Sequence, residues 1–126
     1  MRLASVLTAT ACAAFVCCQT TQADETISPK MSCASVREIF DANTPDNQKI
    51  RSVVEIIMQE LSKLDRKNAS KGLPQIFARM SAEGKRSTAA AITVSCDGHP
   101  DYSLAQSAAS VYEGMYAMGK DLGVNP

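Results

Sequence analysis

The side chains best suited to catalysis, metal binding or covalent bonding in this sequence are one histidine and five cysteines. His99 lies between Gly98 and Pro100, and a histidine in a loop can act as a general base or a metal ligand. No serine, cysteine or second histidine is spaced to work with it, so an exposed loop residue is the favoured interpretation. Metal-ligand clusters, phosphate-binding glycine loops and nucleotide fingerprints are also missing from the sequence. We therefore predict no catalytic residue, no metal site and no cofactor, and expect that the protein is not an enzyme.

Two of the five cysteines, Cys33 and Cys96, lie outside the N-terminal apolar segment. They lack the CxxC spacing of a redox pair, which favours a structural role. An even number of cysteines in an exported chain predicts pairing, and two cysteines allow one connectivity. The bridge would close a loop of about 63 residues and stabilise the fold by roughly 4 kcal/mol in a chain-entropy estimate. Two free buried thiols are the alternative.

The first 23 residues have the three parts of a secretory signal. Arg2 supplies a positive charge, residues 3–18 form an uncharged apolar run, and small residues precede a cleavage point after Ala23. We predict that this segment is removed. The mature chain, residues 24–126, is then one helical domain that begins with a flexible arm at residues 24–30.

Two alternatives to a cleaved signal remain open. The first is a retained membrane anchor, for which the apolar run is short and diluted with polar residues. The second is lipidation of Cys12, Cys17 or Cys18, none of which has the neighbouring residues that a bacterial lipoprotein signal requires. We favour the cleaved signal and predict no stable membrane anchor.

Charge and composition restrict the partners of the mature chain. It carries 12 basic and 13 acidic side chains, a net charge of about −1. A nucleic-acid-binding domain normally has a basic stripe or patch, so we predict no nucleic-acid partner. The chain has no tryptophan, which leaves aliphatic and methionine side chains to fill the core. The methionines are most simply core residues, although they could also form an adaptable binding surface.

Hydrophobic periodicity predicts an all-α fold, a small bundle of about four to five helices linked by one disulfide. The clearest helix starts at Thr44, followed by Pro45 at the first helical position, and its apolar stripe continues to Leu64. Residues 65–72 are polar and end in glycine, which predicts a connector. The other predicted helices begin at Ser35 as N-cap, at Pro74 (ending at Gly84), at Ser87 (ending at Cys96) and near Asp101 or Ser103 (ending near Lys120).

The stretches around the two retained cysteines have a recognisable arrangement. Met31-Ser32-Cys33 is followed by a short helix with Ile39-Phe40, and an apolar helix reaches Cys96 before Asp97-Gly98-His99-Pro100 and a closing helix. This order resembles the HdeA/HdeB family of small periplasmic acid-stress proteins. The chain departs from the family in its longer, more polar segment 64–86 and in lacking the tryptophan often found near the first cysteine. Both departures bear on the family's dimer surface and switching mechanism.

The resemblance implies a periplasmic, ATP-independent holdase that loosens in acid and binds the apolar surface of denaturing proteins. Its implied partners are acid-denatured periplasmic proteins and a second copy of the chain. Below pH ~3 most of the carboxylates would be protonated, which raises the mature side-chain charge to about +13 and favours opening by repulsion. The candidate client or dimer contacts lie on the stripe of the long helix: Ile50, Val53, Val54, Ile57 and Leu61.

Two other functions compete with the holdase. A constitutive periplasmic interaction module, such as an inhibitor or immunity protein, predicts stable folding across pH and one tight partner at neutral pH. A small hydrolase would require activity that disappears in the His99→Ala variant.

Overall fold

The computed structural model describes residues 26–121, with side chains described as far as residue 119, and the predicted export signal lies outside this range. Within these residues the fold is all-α and no strand forms, so the predicted fold class is confirmed. A single backbone bridge joins Ser32 to Ser103. The four helices are α1 (Cys33–Phe40), α2 (Asn47–Ser70), α3 (Ala82–Gly98) and α4 (Leu104–Asp121).

Helix α2 is longer than its apolar stripe predicts. Its N-cap is Asp46, which accepts from the backbone amides of Gln48 and Lys49 at 3.0 and 3.2 Å, rather than Thr44. The helix then continues through residues 65–70, where the sequence predicted a connector. That prediction was wrong because the polar residues there include buried Asp65, which satisfies its carboxylate inside the fold. Gly72, with φ of 72°, lies beyond the helix in the left-handed region that favours glycine.

The helix predicted from Pro74 to Gly84 does not form. Residues 71–81 make an irregular segment instead, because two of its backbone amides, those of Phe77 and Ala78, donate to the Asp65 side chain. Helix α3 consequently starts at Ala82, five residues before the predicted Ser87. Ser81 is its N-cap and accepts from the Gly84 amide at 3.0 Å, which places Gly84 inside the helix.

The first helix also begins earlier than predicted. Ser32, not Ser35, is its N-cap, and the Ser35 amide donates to the Ser32 hydroxyl at 3.1 Å. The reason is tertiary, since the amides of Cys33 and Ala34 donate to backbone carbonyls of the α3–α4 turn and thereby fix the helix start.

The four helices enclose one apolar core, and α3 and α4 pack as an antiparallel pair. The Ser107 hydroxyl of α4 donates to the Ile92 carbonyl of α3, and the Thr88 hydroxyl lies 3.8 Å from the Met115 sulfur. The side chains with no exposed surface include Val53, Ile57, Leu61, Ile92, Leu104 and Ala108. The predicted disulfide between Cys33 and Cys96 is present and joins α1 to the last turn of α3.

This arrangement gives the bundle two ends that are held differently. We call residues 29–34 and 96–105 the disulfide end. We call residues 61–88, with Tyr112 and Met115 of α4 against them, the loop end, because the irregular segment 71–81 lies there.

Candidate functional site

A buried carboxylate holds the loop end together. Asp65 of α2 is only 3% exposed, and three donors converge on it. Its Oδ1 accepts from the Tyr112 hydroxyl at 2.5 Å and from the Phe77 amide at 3.1 Å, while its Oδ2 accepts from the Ala78 amide at 2.6 Å. Buried carboxylates need such partners, and hydrogen bonds to a charged acceptor are the strong ones. Asp65 therefore ties α4 and the irregular segment to α2.

Tyr112 and Asn68 extend this junction. The Asn68 amide group donates to the Tyr112 hydroxyl at 3.0 Å and to the Pro74 carbonyl at 3.3 Å. Burial raises the pKa of Tyr112, and the hydrogen bond to Asp65 and its negative charge raise it further, against smaller opposing effects of the Ile76 backbone and Asn68. The phenol therefore stays protonated and remains a donor to Asp65. We call Asp65, Asn68 and Tyr112, with the amides of Phe77 and Ala78, the polar junction.

The polar junction positions apolar side chains over the core. Phe77 is 5% exposed and belongs to the same buried cluster as Leu61 and Tyr112, while Ile76 and Met80 pack against that cluster. The Lys85 ammonium lies 5.1 Å from the centre of the Phe77 ring, within cation–π distance. Segment 71–81 is thus an apolar lid, and the side chains of Asp65 and Asn68 hold its backbone to α2.

The disulfide end is fastened by other means. Cys33 and Cys96 are joined covalently, with their Cα atoms 4.8 Å apart. Backbone hydrogen bonds also cross this end: Cys33 to Tyr102 at 2.8 Å, Ala34 to Pro100 at 3.1 Å, Leu104 to Met31 at 2.9 Å and Ala105 to Pro29 at 2.9 Å. None of these fastenings involves a group that titrates in acid.

The predicted contact residues of α2 lie mostly inside the fold. Val53, Ile57 and Leu61 have no exposed surface, whereas Ile50 and Val54 are half-buried. The folded chain can therefore offer a partner only Ile50 and Val54 of this set. The other three become accessible only if helices separate.

The remaining candidates are distributed over the surface and the core. His99 is exposed and its ring stacks on Tyr102, with centroids 4.4 Å apart. Met31 is a core residue, as the simplest interpretation predicted, but Met118 is 63% exposed. Within residues 26–121 no three His, Cys, Asp or Glu side chains gather as a metal site, and no described helix is both long and apolar enough to cross a membrane.

The sequence interpretation missed a segregation of charge. Residues 63–86 contain seven basic and two acidic side chains, whereas the other 102 residues contain six basic and eleven acidic ones. One of those two acids, Asp65, is buried in the polar junction, so the surface of this segment is more basic still. A count by segment would have revealed the pattern, which the near-zero net charge conceals.

Asp65 itself was also missed. It lies four residues after Leu61 and three before Asn68, and so continues the inward stripe of α2 with polar side chains. A helical stripe that changes from apolar to acidic without leaving its face is the signal that could have identified it.

Comparisons with protein-family models, curated proteins and solved structures find no match for this chain.

Proposed function

We propose that this protein is an exported, ATP-independent holdase that opens in acid and binds the apolar surface of denaturing periplasmic proteins. The observation that carries the proposal is the contrast between its two ends. One end is closed by a disulfide and backbone bonds, and the other by a buried carboxylate beneath an apolar lid. A fold built this way can open at one end while the other end keeps the chain connected.

Charge supplies the driving force for opening. At neutral pH the seven bases of residues 63–86 are offset by the acids of the rest of the chain. Carboxylates lose their charge as the pH falls below their ordinary pKa of about 4, so in strong acid the repulsion among these bases is no longer offset. The repulsion is greatest at the loop end, because the bases are concentrated there.

Opening at the loop end would uncover a client surface that the folded protein hides. Phe77, Met80 and Ile76 would leave the core with the lid, and Leu61 and Ile57 of α2 would become accessible beneath it. Large apolar surface exposed in this way is what a holdase requires. Of the apolar stripe predicted on α2, the half that contains Ile57 and Leu61 would then contact clients. The resemblance of the cysteine-flanking segments to the HdeA/HdeB family supports the same proposal, as does the disulfide, which is typical of an oxidising compartment such as the periplasm.

Aggregation of an acid-sensitive client at pH 2.5, measured by light scattering with and without the protein, tests the proposal. We expect suppression at near-stoichiometric amounts and none at pH 7. Phe77→Ser is expected to weaken suppression in acid, whereas the matched change Met118→Ser, at an exposed position, leaves it unchanged. Unimpeded client aggregation with an intact fold would refute the holdase. A single tight partner recovered at neutral pH would then favour the constitutive interaction module.

A further inference from the structure

We propose that the loop end docks reversibly on a membrane surface that carries anionic lipid headgroups, with Leu73 inserted between basic side chains. This inference goes beyond the holdase, because it concerns the folded protein at neutral pH and needs no client. It differs from a membrane anchor, since the contact is peripheral and depends on charge.

The basic side chains of this end are available to a partner. Arg66, Lys67, Lys71, Arg79 and Arg86 are all exposed. The ion pairs of Arg37 with Asp41 and of Lys63 with Glu60 involve none of these five. They come from three consecutive elements of one end: the last turns of α2, the segment 71–81 and the first turns of α3. Clusters of four to eight basic residues at a surface are typical of binding to anionic lipid headgroups.

An aliphatic side chain projects from the same end. Leu73 is 42% exposed, in the turn directly after Lys71 and Gly72. Its position is fixed, because its amide donates to the Asn68 carbonyl at 2.9 Å and the chain that follows is held by Asp65. Proteins that lie on bilayers combine apolar side chains, which enter the acyl boundary, with basic side chains that contact the headgroups.

Lipid fits this end better than nucleic acid does. Binding to single strands needs exposed aromatic rings on which bases stack, and Phe77 and Tyr112 are both buried here. The exposed apolar group is aliphatic, which suits a bilayer. The cations and Leu73 also lie at one end of the bundle.

The test is binding to vesicles at pH 7, with each protein purified as the exporting host processes it and its N terminus identified by mass spectrometry. Vesicles contain 30% phosphatidylglycerol in phosphatidylcholine, or phosphatidylcholine alone, at low ionic strength. We expect binding to the anionic vesicles only, weakened by added salt. The double variant Lys67→Gln/Arg79→Gln should bind roughly ten- to thirtyfold more weakly, and Leu73→Ser should also weaken binding.

The matched control is Lys30→Gln/Arg51→Gln, which removes the same charge away from the loop end. It should bind as the parent protein does. Equal losses in the two double variants would overturn the proposal, because they would show a response to net charge alone. No binding to anionic vesicles, or a soluble acidic peptide that binds the loop end more tightly than vesicles do, would also overturn it. Client aggregation in acid is a separate readout, so either proposal can fail without the other.

Discussion

The hydroxyl of Tyr112 on α4 donates a 2.5 Å hydrogen bond to the carboxylate of Asp65 on α2, 47 residues earlier in the chain. The same carboxylate accepts the amides of Phe77 and Ala78. One buried side chain thus connects two helices and the irregular segment between α2 and α3.

Removing the Tyr112 hydroxyl should destabilise the fold. Tyr112→Phe deletes a donor to a buried charged acceptor and leaves the Asn68 amide without one of its acceptors, which we expect to cost about 1–3 kcal/mol. Urea unfolding followed by circular dichroism measures the change. Tyr116→Phe, at a half-buried position of the same helix, is the matched control and should cost less than about 0.5 kcal/mol. Equal costs for the two variants would contradict the importance of the junction.

The raised pKa of Tyr112 predicts a loss of stability in alkali. Above the ordinary value of 10.0 the unfolded chain releases the phenol proton, while the folded protein keeps it. The unfolded state then binds fewer protons, so the free energy of unfolding falls as the pH rises, by at most about 1.4 kcal/mol per pH unit. This contribution is fully present below pH 10. Unfolding between pH 9 and 11.5 should show the decline in the parent protein and a smaller one in Tyr112→Phe; identical slopes would contradict the assignment.

Replacing Asp65 should loosen one end of the molecule and spare the other. Asp65→Asn keeps the size of the side chain but exchanges an acceptor oxygen for a donor, so that at least one of the three converging donors loses its partner. We expect a cost of about 1–3 kcal/mol and faster hydrogen exchange in residues 71–81, with unchanged protection at residues 31–36. Asp97→Asn, which changes an exposed carboxylate, is the control. Uniform acceleration along the chain would show that the two ends do not open separately.

The disulfide should matter most for keeping the opened chain connected. The Cys33→Ser/Cys96→Ser variant is expected to lose about 2–5 kcal/mol of stability. If the holdase proposal is correct, this variant should also suppress client aggregation less durably in acid, because no covalent bond then holds α1 to α3 once the core has opened. Thermal unfolding at pH 7 and light scattering at pH 2.5 measure the two effects. A variant as stable as the parent protein would contradict the structural role.

Two glycines should respond to alanine in opposite directions. Gly72 has a φ of 72°, where an alanine is strained by about 1–2 kcal/mol. Gly114 lies inside α4, and a Cβ added there would meet no atom within 4 Å, so alanine should stabilise the helix by about 0.5–1 kcal/mol. Melting temperatures of Gly72→Ala and Gly114→Ala provide the comparison. A stabilised Gly72→Ala protein would show that the turn before Leu73 can change shape.

Several features could be predicted from the sequence because they depend on local or pairwise chemistry. The spacing of Ile50, Val53, Ile57 and Leu61 marks a helical stripe whatever it packs against, and three of these four side chains are fully buried. Cys33 and Cys96 had one connectivity once the other cysteines were assigned to the signal. The α3–α4 break at residues 99–103 follows from Pro100, whose ring fixes its own φ and leaves no N–H to continue the helix.

Tertiary structure decided the rest. Pro74 and the apolar residues after it predict a helix, but the Asp65 carboxylate offers the amides of Phe77 and Ala78 a better acceptor than a short, weakly nucleated helix could. The sequence contains both partners, and nothing in their local pattern reveals that they meet 12 and 13 residues apart. The same folding step buries one acid and leaves basic side chains at the surface of that end. Local patterns therefore determined the apolar stripe of α2 and the pairing of the cysteines, whereas the loop end was decided by a contact that exists only after α2, α4 and the segment between α2 and α3 have packed together.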